Sequence, residues 1–279
     1  MSHELFRLTS SIHNTPLLMT RFSFESVLSI LEQRNKTGNF GSILSDITAT
    51  EERFNTQVGV GILQVVGALT YRDIETDCGG VSTSYESLIE DLSEFAGSGV
   101  RTVVMLVDSG GGESIHCFET ARELRSIADE HGIKLIGYID TNAQSAAYAL
   151  ISCCDYIVSN NSGSIGSIGV LVALKDESEA NRLEGIKYIY VVAGKDKVPF
   201  AEDGSFKRSF IDNIQLKIDK TWDEFITLVS SNRGISYDSI KSMEAGTFDA
   251  DEALKLGLID AIMTNREFTE FVKKVKNEQ

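Results

Sequence analysis

Histidine, proline and cysteine are scarce in this chain of 279 residues, with four, two and four copies, and 26 Lys and Arg are outnumbered by 41 Asp and Glu. Each shortage removes a class of function. The histidines, His3, His13, His116 and His131, include no pair four residues apart, so no zinc site is expected and no cofactor is implied. The cysteines, Cys78, Cys117, Cys153 and Cys154, show neither Cys-x-x-Cys spacing nor the density of a disulfide framework. They read as buried free thiols in a reducing compartment. A net charge of −15 repels a polyanion, so nucleic acid is not an expected partner. The longest apolar candidate, Val58 to Tyr71, is broken by glycines and falls short of the roughly 18 to 20 residues that span a bilayer. Met1 to Pro16 carries Glu4 and Arg7 where a signal peptide would be apolar throughout. A protein without a membrane span, remaining in the cytoplasm, is the expectation.

What is present is a core-building composition, 42% hydrophobic, in a chain long enough to bury about three quarters of its unfolded surface. Residues 1–55 read as an accessory region, with a helical stripe over Phe22 to Arg34 and a polar stretch from Gly38 to Asn55. From Val58 the pattern alternates. Val58 to Val66, Arg101 to Val107, Lys134 to Ile139, Tyr156 to Ser159, Ser167 to Val172 and Lys187 to Val192 are expected strands. Ser84 to Phe95, Ser114 to His131, Ala143 to Cys154 and Glu177 to Glu184 are expected helices between them. The sequence therefore predicts an α/β fold with a largely parallel sheet. Beyond Pro199 the expectation is mainly helical: Phe210 to Asn232, Tyr237 to Met243 and Ala250 to Leu256. Domain boundaries are placed at 56–265, with 266–279 as a tail.

Two segments carry chemistry. Asp108-Ser109-Gly110-Gly111-Gly112 joins a strand to a helix, and its glycines let backbone N–H groups converge on an anion or an oxyanion. Neither the dinucleotide G-x-G-x-x-G nor a phosphate-loop Gly-Lys-Ser/Thr is present, though a plain tight turn remains an equal reading. The second is Asn142-Ala143-Gln144-Ser145-Ala146-Ala147-Tyr148, a hydroxyl among small residues at a helix start. Small neighbours admit a carbonyl, and the Ala146 N–H lies where charge would develop on it. An ordinary helix-start serine is the competing reading. Every histidine precedes Ser145, so only a His-first triad through His116 or His131 is possible. His131 beside Gly132 reads as a surface helix end. The remaining type of base is a lysine, and Lys197, after an expected strand and before Pro199, is the candidate.

Taken together, the motifs resemble the signal peptide peptidase A family of serine peptidases, and within it the bacteriophage head (capsid) maturation proteases of the lambda protein C type. The resemblance runs from about Val58 to Ile262. It rests on Asp108-Ser109-Gly110-Gly111-Gly112, Ala143 to Tyr148, Gly166-Ser167-Ile168-Gly169-Val170, Gly194-x-x-Lys197 and Phe248…Ala253-x-x-x-Gly257-Leu258-Ile259-Asp260. His13-Asn14-Thr15-Pro16-Leu17-Leu18 is a softer sign of the phage branch. Gly110 stands where the family usually has proline.

The resemblance implies Ser145 as nucleophile and Lys197 as general base, with Ser167 orienting the lysine. It implies an oxyanion hole from Gly111, Gly112 and Ala146. It implies a ClpP/crotonase-like spiral of β-β-α units with a small N-terminal helical region and a helical C-terminal part, assembled as a homo-oligomeric ring. Expected partners are protein or peptide substrates such as scaffold and capsid proteins, cut in the bacterial cytoplasm or inside the procapsid. A peptidase degrading leftover signal peptides, a catalytically silent assembly component and crotonase-like acyl-CoA chemistry are the alternatives.

Overall fold

A computed structural model of the chain describes residues 16–20, 24, 59–72, 82–194 and 196–278. The expected helix at Phe22 to Arg34, the stretch from Gly38 to Asn55, and Cys78 fall outside these residues, apart from helical Phe24.

Strand β1 (Leu17–Met19) precedes β2 (Gly61–Val66), β3 (Ala68–Thr70), β4 (Ser82–Ser84) and helix α1 (Tyr85–Gly97). Then β5 (Thr102–Ser109), β6 (Gly111–Glu113) and α2 (Cys117–His131) repeat the unit, and β7 (Lys134–Gln144) leads into the short α3 (Ala146–Ile151). After β8 (Tyr156–Ser159) and β9 (Ser164–Gly166) come α4 (Ser178–Leu183), the long α5 (Arg208–Arg233) and α6 (Tyr237–Lys241). The chain closes with β10 (Thr247–Asp249), α7 (Ala250–Lys255), β11 (Ala261–Ile262) and α8 (Asn265–Asn277).

The first strand of each unit joins a large sheet ordered β10-β9-β7-β5-β2, with β8 paired to β7 and β11 to β8. The second strand joins a small sheet ordered β1-β6-β3-β4. All pairings are parallel except β1 with β6 and β10 with β9. This is an α/β fold built from repeated β-β-α units.

The valine-rich runs form central strands because both of their faces are covered. Val103, Met105 and Val107 of β5 pack with α1 and α2, while the alternate residues Val104 and Leu106 face Phe268 and Val272 of α8. In β7, Leu135 and Ile139 take the first face, Ile136 and Tyr138 the second. The segment after 265 is thus a helix seated on the sheet. Ser84 caps α1 by accepting from Ser87 N–H at 3.1 Å.

Three expected elements differ. The helix placed from Ala143 begins only at Ala146, because Asn142, Ala143 and Gln144 pair with β9 and extend the strand. The alanines that suggested helix are small because they are packed, Ala143, Ala146 and Ala147 being fully buried. The strand placed over Ser167 to Val172 is broken by Ser167 at φ 52° and by a tight turn in which Gly169 N–H donates to the Ser167 carbonyl. The strand placed over Lys187 to Val192 is irregular and exposed, with Ile189 at 80% and Val191 at 96% exposure. Its residues have a strand's composition, but no strand pairs with them among the described residues.

Candidate active site

Ser145 sits at the corner where β7 becomes α3, with φ 57° and ψ −120°. A non-glycine residue at positive φ stores strain that the surroundings must hold. They do so: Ser145 N–H donates to the Gly166 carbonyl at 2.8 Å, and its carbonyl accepts from Ala149 N–H at 3.0 Å. The residue is fully buried, and its hydroxyl makes no cap to α3. Ser145 therefore stands at the helix start without a side-chain cap. The hydroxyl instead lies 3.5 Å from the Gly169 carbonyl, a long and weak contact.

The loop carrying Gly166 to Gly169 is fixed from two sides. Ser167 N–H donates to the Gly246 carbonyl at 2.8 Å, next to β10, and Trp222 Nε1–H of α5 donates to the Ile168 carbonyl at 2.8 Å. A Cβ at Gly166, whose φ is 115°, would stand 2.6 Å from the Gly246 carbonyl oxygen, so glycine is required there. Ser167 is half-buried in this loop.

The glycine turn lies at the carboxyl end of β5, where the pairing with β7 shifts register between Val107 and Ser109. Ser109 turns its hydroxyl inward, donating to the Gly67 carbonyl at 2.6 Å and accepting from Gly111 N–H at 3.1 Å. Gly111 thus departs from the expected oxyanion role, since its N–H is engaged by Ser109. Both following glycines are sterically dictated: a Cβ would meet the Leu18 carbonyl oxygen at 2.0 Å from Gly111 and the Leu69 carbonyl oxygen at 1.9 Å from Gly112. Ala146, the first residue of α3, has no carbonyl within its own helix for its N–H.

Beneath the corner, the Cys117 Sγ lies 3.7 Å from the Ala146 carbonyl, and burial raises its pKa to about 12. Cys117, Cys153 and Cys154 are free and buried. Tyr148 O–H donates to the Leu258 carbonyl at 2.9 Å, and burial also raises its pKa. The closing motif acts nearby, as Asp260 accepts from Ile157 N–H at 2.7 Å and pairs with buried Arg233 at 2.7 Å.

Neither candidate histidine is part of this cluster. His116 is exposed and stacks on Tyr71 with ring centroids 4.1 Å apart, and the His131 carbonyl accepts from Arg101 at the end of α2. Lys197 is exposed, its N–H donating to the Gly194 carbonyl at 3.1 Å, and the single chain does not hydrogen-bond it to Ser145. The sequence reading missed Ser109, Trp222 and Gly246. Ser109 lies inside the glycine-turn motif, whereas Trp222 is separated from its partner Ile168 by 54 residues, a pairing no local pattern signals.

Among the described residues, no helix is long and apolar enough to cross a membrane, and no group of three or more His, Cys, Asp or Glu could hold a metal ion. A model described as peptidase family S49 matches residues 127–278. The chain is 25% identical over 211 residues to the head-tail preconnector protein GP5 of Enterobacteria phage P21, covering 74% of this chain and 41% of that protein. It is 24% identical over 208 residues to the capsid assembly protease C of Escherichia phage lambda, covering 74% and 47%. Protease 4 of Haemophilus influenzae is 24% identical over 269 residues, covering 93% and 42%. The chain thus spans less than half the length of each of these three relatives. A solved structure of a ClpP1 point mutant from Listeria monocytogenes superposes with TM-score 0.49 at 12% identity, over 76% of this chain and 97% of that one.

Proposed function

Since the chain belongs to peptidase family S49, we propose that it is a serine endopeptidase in which Ser145 is the nucleophile and Lys197 the general base. The observation that carries the reading is Ser145 itself, a buried serine on a strained strand-to-helix corner whose hydroxyl is spent on no cap. Lys197 takes the hydroxyl proton as the oxygen attacks the scissile carbonyl, and the Gly112 and Ala146 amides hold the oxyanion. Lys197 then donates the proton to the leaving amine, and water releases the acyl group. Ser167, on the clamped loop beside the nucleophile, orients the lysine.

Lys197 reaches the site when the segment before it is ordered by assembly. Leu183, Tyr188, Ile189 and Val191 are all more than half exposed in the single chain, an apolar run that a homo-oligomer would cover. The phage relatives support processing of scaffold or capsid proteins as the biological role.

Ser145→Ala and Lys197→Ala are each expected to lower hydrolysis of labelled casein by at least about 10⁴-fold while the chain stays folded. Full activity in Lys197→Ala with loss in His116→Ala would overturn the dyad.

A further inference from the structure

The chain's own strand β1 is paired along both edges, with β6 and with Leu171. On one side, Leu17, Leu18 and Met19 run antiparallel to β6, opposite Glu113, Gly112 and Gly111. On the other, Leu17 and Leu171 exchange both backbone hydrogen bonds, at 2.9 and 3.0 Å. Leu171 follows by two residues the Gly169 carbonyl that faces the Ser145 hydroxyl. Beyond the strand's ends, Thr20 N–H donates to the Gly110 carbonyl at 3.2 Å and Ser114 Oγ donates to the Pro16 carbonyl at 2.8 Å. A five-residue segment, Pro16 to Thr20, is therefore held along its backbone as an extended peptide would be.

Register places it relative to the chemistry. In an antiparallel pair, hydrogen-bonded and non-hydrogen-bonded positions alternate. The bond from Thr20 to Gly110 marks that pair as hydrogen-bonded, so Leu18 and Gly112, two residues on, form the next one. The Leu18 carbonyl is thereby the group presented to the Gly112 N–H. The Leu18 side chain is fully buried in the main core cluster, which also contains Ala146 and Cys117.

We propose that β1 is an intramolecular occupant of the peptide-binding cleft, with Leu18 in the place of the residue whose carbonyl is attacked. This rests on Ser145 being the nucleophile and adds to it both a specificity and a means of control. The cleft takes an extended peptide by strand addition between β6 and Leu171, with leucine on the acyl side of the cut. Substrate enters when β1 is displaced.

Two arms test this. Binding is measured without catalysis, using a fluorescein-labelled peptide with the sequence of residues 14–20 and the Ser145→Ala chain with or without Leu17→Pro. The proline removes the N–H donated to Leu171 and frees the cleft. Binding at least about tenfold tighter to the Leu17→Pro chain is expected; equal affinity, or no binding to either, overturns the assignment.

The second arm keeps the strand in place. Leu17 and Glu113 form a non-hydrogen-bonded pair, whose Cα separation of about 4.5 Å lies within reach of a disulfide. The full chain carrying Leu17→Cys and Glu113→Cys, cross-linked as verified by mass, is expected to lose at least about tenfold of its casein hydrolysis and to regain it with dithiothreitol. A cross-linked chain as active as its reduced form overturns the proposal. If no form hydrolyses casein while the peptide binds as expected, the nucleophile assignment fails and the cleft assignment stands.

Discussion

At Ser145 the backbone, more than the side chain, carries the cost of the site. Its positive φ is held by Gly166 and Ala149, and the hydroxyl contributes only one long contact, so removing it leaves the fold's energy nearly unchanged. Gly112 is the opposite case. Any side chain there meets the Leu69 carbonyl oxygen at 1.9 Å, backbone that cannot swing aside. Gly112→Ala is expected to destabilise by about 3 kcal/mol or more, read as a shifted denaturant midpoint. The thiol beneath the corner gives a pH signature. Burial raises Cys117 from an ordinary 9.0 to about 12, so the unfolded chain ionises first. The stability contribution of the neutral thiol is complete below about pH 9 and falls as pH rises towards 12. Thiol titration at pH 8 is expected to leave Cys117 unmodified until denaturant is added, and rapid reaction in the folded chain would contradict its burial. The serine and the glycine turn were legible because each is a local motif with a chemical need. The engagement of Gly111 by Ser109 was not, since a hydroxyl two residues away competes with any ligand for the same N–H.

Elements were legible in proportion to how much of their environment is local. β5 and β7 show doubly buried apolar runs, and α5 a long amphipathic pattern, so their types follow from sequence with modest errors at the ends. The start of α3 was misplaced because Ala143 and Gln144 look helical yet pair with β9, a contact set by the sheet. The Lys187 to Val192 segment failed for a different reason: its apolar residues find no strand within the described chain. That mismatch has a consequence for assembly. Ile189→Asp is expected to shift sedimentation towards the monomer and to lower peptidase activity together, because Lys197 follows eight residues later. A variant that remains assembled and fully active would sever the link between the exposed segment and the site.

For the whole molecule, two sheets meet at one point. The large sheet delivers Ser145 and the clamped loop, while the small sheet delivers Gly112 and, through β1, the chain's own peptide. The net charge of −15 disfavours attraction to a polyanion such as DNA. All of this depends on one hydroxyl. Labelling of the full chain with a serine-directed fluorophosphonate, followed by peptide mapping, tests that dependence most directly. The expected result is a single adduct on Ser145, absent from Ser145→Ala and reduced in Lys197→Ala. An adduct on another residue, or casein hydrolysis persisting in Ser145→Ala, would contradict it.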